Sequence, residues 1–293
     1  MLKMMKYLLH TLSCLLLFAA GTCLAQTPGH TLRSGGIDRT YRLHLPEGLP
    51  DGAPLVIVLH GYGGQGDPER FDMNRVADRH GFAVCYPQGE RDGRGKTCWN
   101  VGYPFQADMA VDDVRFLSEL IRHLQKKHGL SRRNVFCTGM SNGGDMCYLL
   151  ASRCPETYAA LGPVAGFMSV EILRSDRNPH PIPLFEIHGT EDRTTRWEGD
   201  LGNEGGWGAY VSVPTAVGYW AAKNKCLAER GDTLPSRPGG HRPPLHGGHG
   251  RKRGLALRDR RRKALLERDG RRHGRRAVEV FQQIRPVNEK GFR

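Results

Sequence analysis

The chain has no Cys-x-x-Cys pair, no internal repeat and, beyond its first 25 residues, no apolar run long enough to cross a bilayer. Without paired cysteines the usual structural zinc sites are excluded. Without a repeat there is no solenoid or propeller. Without a long apolar run there is no membrane-spanning core. Aromatic residues are also missing from the one strongly basic stretch, residues 251–276, so stacking on nucleic-acid bases has nothing to work with there.

What the chain does have begins with an export pattern. Lys3 and Lys6 precede an apolar core from Leu12 to Ala20, followed by Cys23-Leu24-Ala25. This reads as a signal peptide over residues 1–25, and a lipid anchor at Cys23 is disfavoured by Thr22 before it. Residues 26–293 are then expected as one secreted catalytic domain, monomeric and free of the membrane after cleavage. Six cysteines remain: Cys85, Cys98, Cys137, Cys147, Cys154 and Cys226. An even number in an exported chain suggests disulfides, although Cys137 and Cys147 lie on apolar faces and read equally well as buried thiols.

The net charge of +13 is local. Residues 26–236 carry 23 Lys/Arg against 25 Asp/Glu, whereas residues 251–276 carry 13 against 3. A nucleic-acid partner is therefore not implied. Between the signal segment and the basic run the pattern alternates: an edge strand at Thr40 to Leu45, strands at Pro54 to Leu59 and Phe82 to Tyr86, and helices at Phe71 to His80 and Val111 to His128. Further strands follow at Arg133 to Cys137, Ala159 to Val164 and Ile182 to Ile187. Alternating strands and helices predict a mostly parallel sheet with helices on both faces, and such sheets bind ligands at the carboxyl ends of their strands.

Chemistry concentrates at those ends. Gly139-Met140-Ser141-Asn142-Gly143 joins a strand to a helix as G-x-S-x-G, a nucleophile elbow in which a sharp turn exposes the Ser141 hydroxyl. Acyl transfer by serine also needs an oxyanion hole and an acid-oriented base. Leu59-His60-Gly61-Tyr62-Gly63-Gly64 follows an early strand, so the amide of Tyr62, or alternatively Gly61, is assigned with that of Asn142 to the hole. His60 reads as a packed histidine beside it. In His188-Gly189-Thr190-Glu191-Asp192, Asp192 is the expected acid, Glu191 the runner-up, and His188 a support for the loop. Trp99 is assigned to the substrate pocket, and Trp99 and Tyr103 fit equally well as side chains packed beneath it.

These stretches, with Cys85-Tyr86-Pro87-Gln88-Gly89, Cys98-Trp99-Asn100, Val111-Asp112-Asp113-Val114 and Pro163-Val164-Ala165-Gly166, resemble the secreted polyhydroxybutyrate-depolymerase-like, feruloyl and acetylxylan esterases. The resemblance runs from about Arg33 to Cys226. It implies an α/β-hydrolase fold, Ser141 and Asp192 as nucleophile and acid, and cofactor-free hydrolysis of a carboxylic ester, polymeric or not. A reading of a different class is a catalytically dead relative that binds polymer or carbohydrate.

One family segment is missing: the Gly-Gly-x-His-x-Trp-like stretch that carries the base. In its place residues 235–276 form an Arg-, Gly- and Pro-rich run, after which Ala277 to Pro286 again resembles the family's closing helix. A compensated frameshift accounts for both. Read one base later, Leu255 through Glu267 can encode Trp-Leu-Tyr-Glu-Ile-Asp-Gly-Gly-Arg-His-Ser-Trp, with the histidine codon spanning Ala264 and Leu265. The run as it stands, too polar to bury a core, is expected to be disordered.

Overall fold

Leu55–Leu59, Ala83–Pro87 and Ala160–Val164 have no exposed residue, as strands covered on both faces of a sheet must. A computed structural model of the chain describes residue 27, residues 29–226 and, as backbone only, the strands at 228–232, 254–258 and 263–267. Residues 1–25, expected as a signal peptide, and most of residues 235–276 lie outside the described residues.

The strands are β1 (Gly29–Ser34), β2 (Ile37–His44), β3 (Leu55–Leu59), β4 (Ala83–Pro87), β5 (Glu90–Arg91), β6 (Thr97–Cys98), β7 (Val135–Met140), β8 (Ala160–Val164), β9 (Phe185–Ile187), β10 (Ala228–Asp232), β11 (Gly254–Arg258) and β12 (Lys263–Glu267). The helices are α1 (Pro68–Phe71), α2 (Met73–His80), α3 (Asp113–His128), α4 (Asn142–Arg153), α5 (Val170–Ser175) and α6 (Val213–Lys223). Ten strands form one sheet in the order β1-β2-β4-β3-β7-β8-β9-β12-β11-β10, and β5 and β6 pair separately. The stretch from β4 to β12 is parallel, while β1, β2 and the β10–β11–β12 end are antiparallel. The mostly parallel α/β sheet expected from the sequence is the one observed.

Several boundaries move for physical reasons. The outermost strand is β1, whose residues are largely polar and partly exposed and so carry no buried-strand pattern. The helix expected from Phe71 is split at Asp72, which sits at φ 50° in the left-handed region. α3 starts where Asp112 accepts the Arg115 N–H as its N-cap, just inside the expected start. Within the basic run, the apolar triplets Leu255-Ala256-Leu257 and Ala264-Leu265-Leu266 lie in β11 and β12, which form an antiparallel pair, and β12 lies parallel to β9. The disulfide expectation is corrected for five of the cysteines: Cys85, Cys98, Cys137, Cys147 and Cys154 are buried free thiols, and Cys137 and Cys147 approach to 3.9 Å. Among the described residues no helix is long and apolar enough to cross a membrane.

Candidate active site

Ser141 occupies the tight turn between β7 and α4 with φ 55° and ψ −122°, a conformation strained for any residue with a side chain. Its surroundings leave no room for bulk. A Cβ at Gly139 would lie 2.5 Å from the Gly143 backbone, and one at Gly143 would lie 2.6 Å from the Leu59 carbonyl oxygen. The glycines thus let β7, the turn and α4 pack directly against the end of β3. Ser141 N–H donates to the Val164 carbonyl at 2.8 Å, and Ala165 N–H to that of Ile187 at 2.7 Å, so the ends of β7, β8 and β9 are tied together beside the serine.

Gly61 brings the β3 loop close to the serine, since a Cβ there would sit 3.5 Å from Ser141 Cβ. The Gly61 carbonyl accepts from His60 Nδ1 at 2.8 Å and from Gly64 N–H at 2.9 Å. A trans peptide directs its N–H opposite to its carbonyl. The N–H of the same peptide, that of Tyr62, is therefore aimed away from His60, and it meets no acceptor among the described residues. The N–H of Asn142, first residue of α4, likewise has no intrahelical acceptor. Two free amides thus flank Ser141, one at the positive end of a helix dipole.

The His60 ring is fully buried, and its Nε2 accepts the Gly89 N–H at 3.0 Å. A nitrogen that accepts carries no proton, so Nδ1 bears the hydrogen given to Gly61. Burial pushes the His60 pKa down, more than the Gly61 bond raises it. His60 is a neutral clamp on the loop, as a packed histidine should be. The Tyr62 hydroxyl donates to Asp92 at 2.6 Å, and its own pKa is pushed up to about 12 by burial and that carboxylate.

Asn142 is fully buried and uses its whole amide: Oδ1 accepts from Trp99 N–H at 2.7 Å, and Nδ2 donates to the Trp99 carbonyl at 3.0 Å and to the Tyr103 hydroxyl at 3.1 Å. Trp99 has no exposed surface; its Nε1 donates to the His60 carbonyl at 2.9 Å and its ring packs on His60. Trp99 and Tyr103 are thus both buried and packed, which fits the second of their two readings, side chains packed beneath the pocket. The partly exposed rings beside the loop are Tyr62, Phe105 and Trp207, with centroids 5.2–5.8 Å apart.

Asp192 lies on the turn after β9. Its Oδ1 accepts from the N–H groups of Thr194 at 2.8 Å and Thr195 at 3.0 Å, leaving Oδ2 without a bond to any described residue. Glu191 is exposed. Behind this turn are carboxylates that the sequence pattern did not assign. Glu186 is fully buried, binding His188 Nδ1 at 3.0 Å and the Tyr148 hydroxyl at 2.8 Å. Asp145, one turn into α4, accepts from the Tyr103 hydroxyl and from Phe167 N–H. Burial pushes Asp145 up to about 8, with the Glu186 charge adding to the rise. The available signal was a carboxylate inside an apolar strand (Phe185-Glu186-Ile187) and another inside an apolar helix. The base expected from the shifted frame falls on β12, where only the backbone is described, and is not among the residues the chain carries there.

Among the described residues no cluster of His, Cys, Asp or Glu is arranged to hold a metal. Residues 39–175 match the family model described as esterase PHB depolymerase, as the resemblance in the sequence implied. The chain is 27% identical over 170 residues to the bifunctional acetylxylan esterase/xylanase XynS20E of Neocallimastix patriciarum, covering 57% of this chain and 23% of that protein. It is 27% identical to the poly(3-hydroxyalkanoate) depolymerase C of Paucimonas lemoignei over 42% of this chain and 30% of that one. The matched region thus spans less than a third of the length of either relative. Among solved structures the chain is similar to the acetyl xylan esterase from Aspergillus awamori, with TM-score 0.62, 15% identity, and 87% and 99% of the two chains covered. The fold is that of an α/β-hydrolase.

Proposed function

We propose that this chain, whose residues 39–175 match the esterase PHB depolymerase family, is a secreted serine hydrolase of carboxylic esters. The observation that carries the reading is Ser141 held at φ 55° in the β7–α4 elbow with Gly61 packed against it. Ser141 Oγ attacks the ester carbonyl, and the amides of Tyr62 and Asn142 receive the developing oxyanion; losing one such donor costs about 3 kcal/mol of transition-state stabilisation. Gly61 lets the loop approach. Asp192, with Oδ2 open, orients the histidine that moves the protons. Tyr62, Phe105 and Trp207 form the apolar wall next to the hole, and they take the role first assigned to Trp99.

The histidine is the weak point of the chain as it stands. We assign it to the shifted frame over Ala264 and Leu265. The position of β12 beside β9, the strand that leads to Asp192, supports that assignment. The unaltered chain should then hydrolyse an aryl ester slowly, and restoring the frame over residues 255–267 should raise kcat by several orders of magnitude. Near-normal turnover by the unaltered chain would overturn the frame assignment. Turnover that survives Ser141→Ala would overturn the nucleophile, and a frame-restored chain with no turnover at all would favour the non-catalytic binding relative.

A further inference from the structure

We propose that Glu186 and His188 form a buried ion pair that ties α4 to the Asp192 turn, making both of them positioning residues for the acid. The pair gains this role from Asp192 as the acid of the site above. A continuous chain of contacts links them. Tyr148 on α4 donates to Glu186 Oε2 at 2.8 Å, Glu186 Oε1 meets His188 Nδ1 at 3.0 Å, and His188 Nε2 meets the Thr195 carbonyl at 2.8 Å. The N–H of Thr195 then donates to Asp192 Oδ1 at 3.0 Å. α4 is the helix that Ser141 begins, so one line of polar contacts joins the nucleophile's helix to the acid's turn.

The partners dictate the charges. The Thr195 carbonyl can only accept, so Nε2 must carry a proton. Glu186 already accepts from Tyr148, and Nδ1 faces its other oxygen, so a proton on Nδ1 completes both groups as imidazolium and carboxylate. Both side chains are fully buried. Burial opposes the charge on His188, but Glu186, the Thr195 carbonyl and Asp192 outweigh it and raise the pKa. The titratable groups facing the ring are Glu186 on β9, Asp145 and Tyr148 on α4 and Asp192 on its own turn. A buried pair of this kind adds little net stability, because desolvation offsets attraction. What it supplies here is a fixed distance between helix and turn.

The first measurement uses the full chain and needs no turnover. Nitrogen NMR of His188 should show both ring nitrogens protonated at pH 6.5, where a free imidazole has lost half of its second proton. A bare Nδ1 at that pH would place the proton on Glu186 and overturn the ion pair. Amide exchange at Thr195 should accelerate about tenfold or more in His188→Gln and less in Tyr148→Phe, which keeps the pair intact; unchanged exchange in both variants would overturn the positioning role. In frame-restored protein, His188→Gln should lower kcat about 100-fold with KM nearly constant. A fall in thermal stability with kcat unchanged would show a structural role alone and overturn the positioning role. If Asp192→Asn leaves turnover intact while the NMR result holds, the acid assignment fails and the ion pair stands.

Discussion

His60-Gly61 and His188-Gly189 are the same dipeptide, each placed just after a parallel strand, and both histidine side chains are fully buried. Yet one ring is neutral and the other is charged. His60 faces a donor, the Gly89 N–H, and so keeps a bare nitrogen. His188 faces a carboxylate and a carbonyl, and so keeps two protons. Burial alone favours the neutral form at both sites. The partners decide the charge, and each charge fits its place. A neutral ring aligns the Gly61–Tyr62 peptide through its Nδ1, and a cation holds the turn that carries Asp192.

The largest effect expected from this contrast is that of His188→Leu, which strands Glu186 without its cation. Urea unfolding should show a loss of about 3–5 kcal/mol, the range for breaking a buried pair. His60→Leu removes neutral hydrogen bonds alone, from the Gly89 N–H and the Gln88 amide and to the Gly61 carbonyl, and should cost about 1–3 kcal/mol. Equal losses would erase the distinction between charged and neutral clamps. Tyr148→Phe removes one neutral donor to Glu186 and should cost about 1 kcal/mol.

The smallest effect is in pH dependence, where the two histidines have opposite signs. His188, raised above its ordinary value of 6.5, adds stability that is fully present below pH 6.5 and lost as pH rises through its folded pKa. His60, lowered from 6.5, adds stability that is present above pH 6.5 and lost as pH falls through its folded pKa. Unfolding measured from pH 5 to pH 9 should therefore lose its alkaline-side slope in His188→Gln and its acid-side slope in His60→Gln. Matching slopes in the two variants would contradict the assignment.

Much of this site is legible in the sequence where local pattern and local structure coincide. The apolar run into Gly139-Met140-Ser141-Asn142-Gly143 specifies strand, turn and helix within a short stretch, and the turn demands those glycines whatever surrounds it. The edge strand β1 is not legible, because its residues bury little and its composition is largely polar. Trp99 keeps two readings in the sequence for a different reason. A tryptophan near a site is as suited to packing as to lining, and the burial of its ring and the fit of its Nε1 to the His60 carbonyl favour packing. Glu186 and Asp145 look like ordinary polar positions until the fold covers them. Their partners come from distant elements, so nothing within a few residues marks them beyond a charge in an apolar run.

Whether Ser141 is the nucleophile is tested most directly by labelling with a fluorophosphonate. With the frame over residues 255–267 restored, the probe should attach rapidly at Ser141, located by peptide mass, and the unaltered chain should label far more slowly. A restored chain that stays unlabelled, or one labelled at another serine, would contradict Ser141 as the nucleophile.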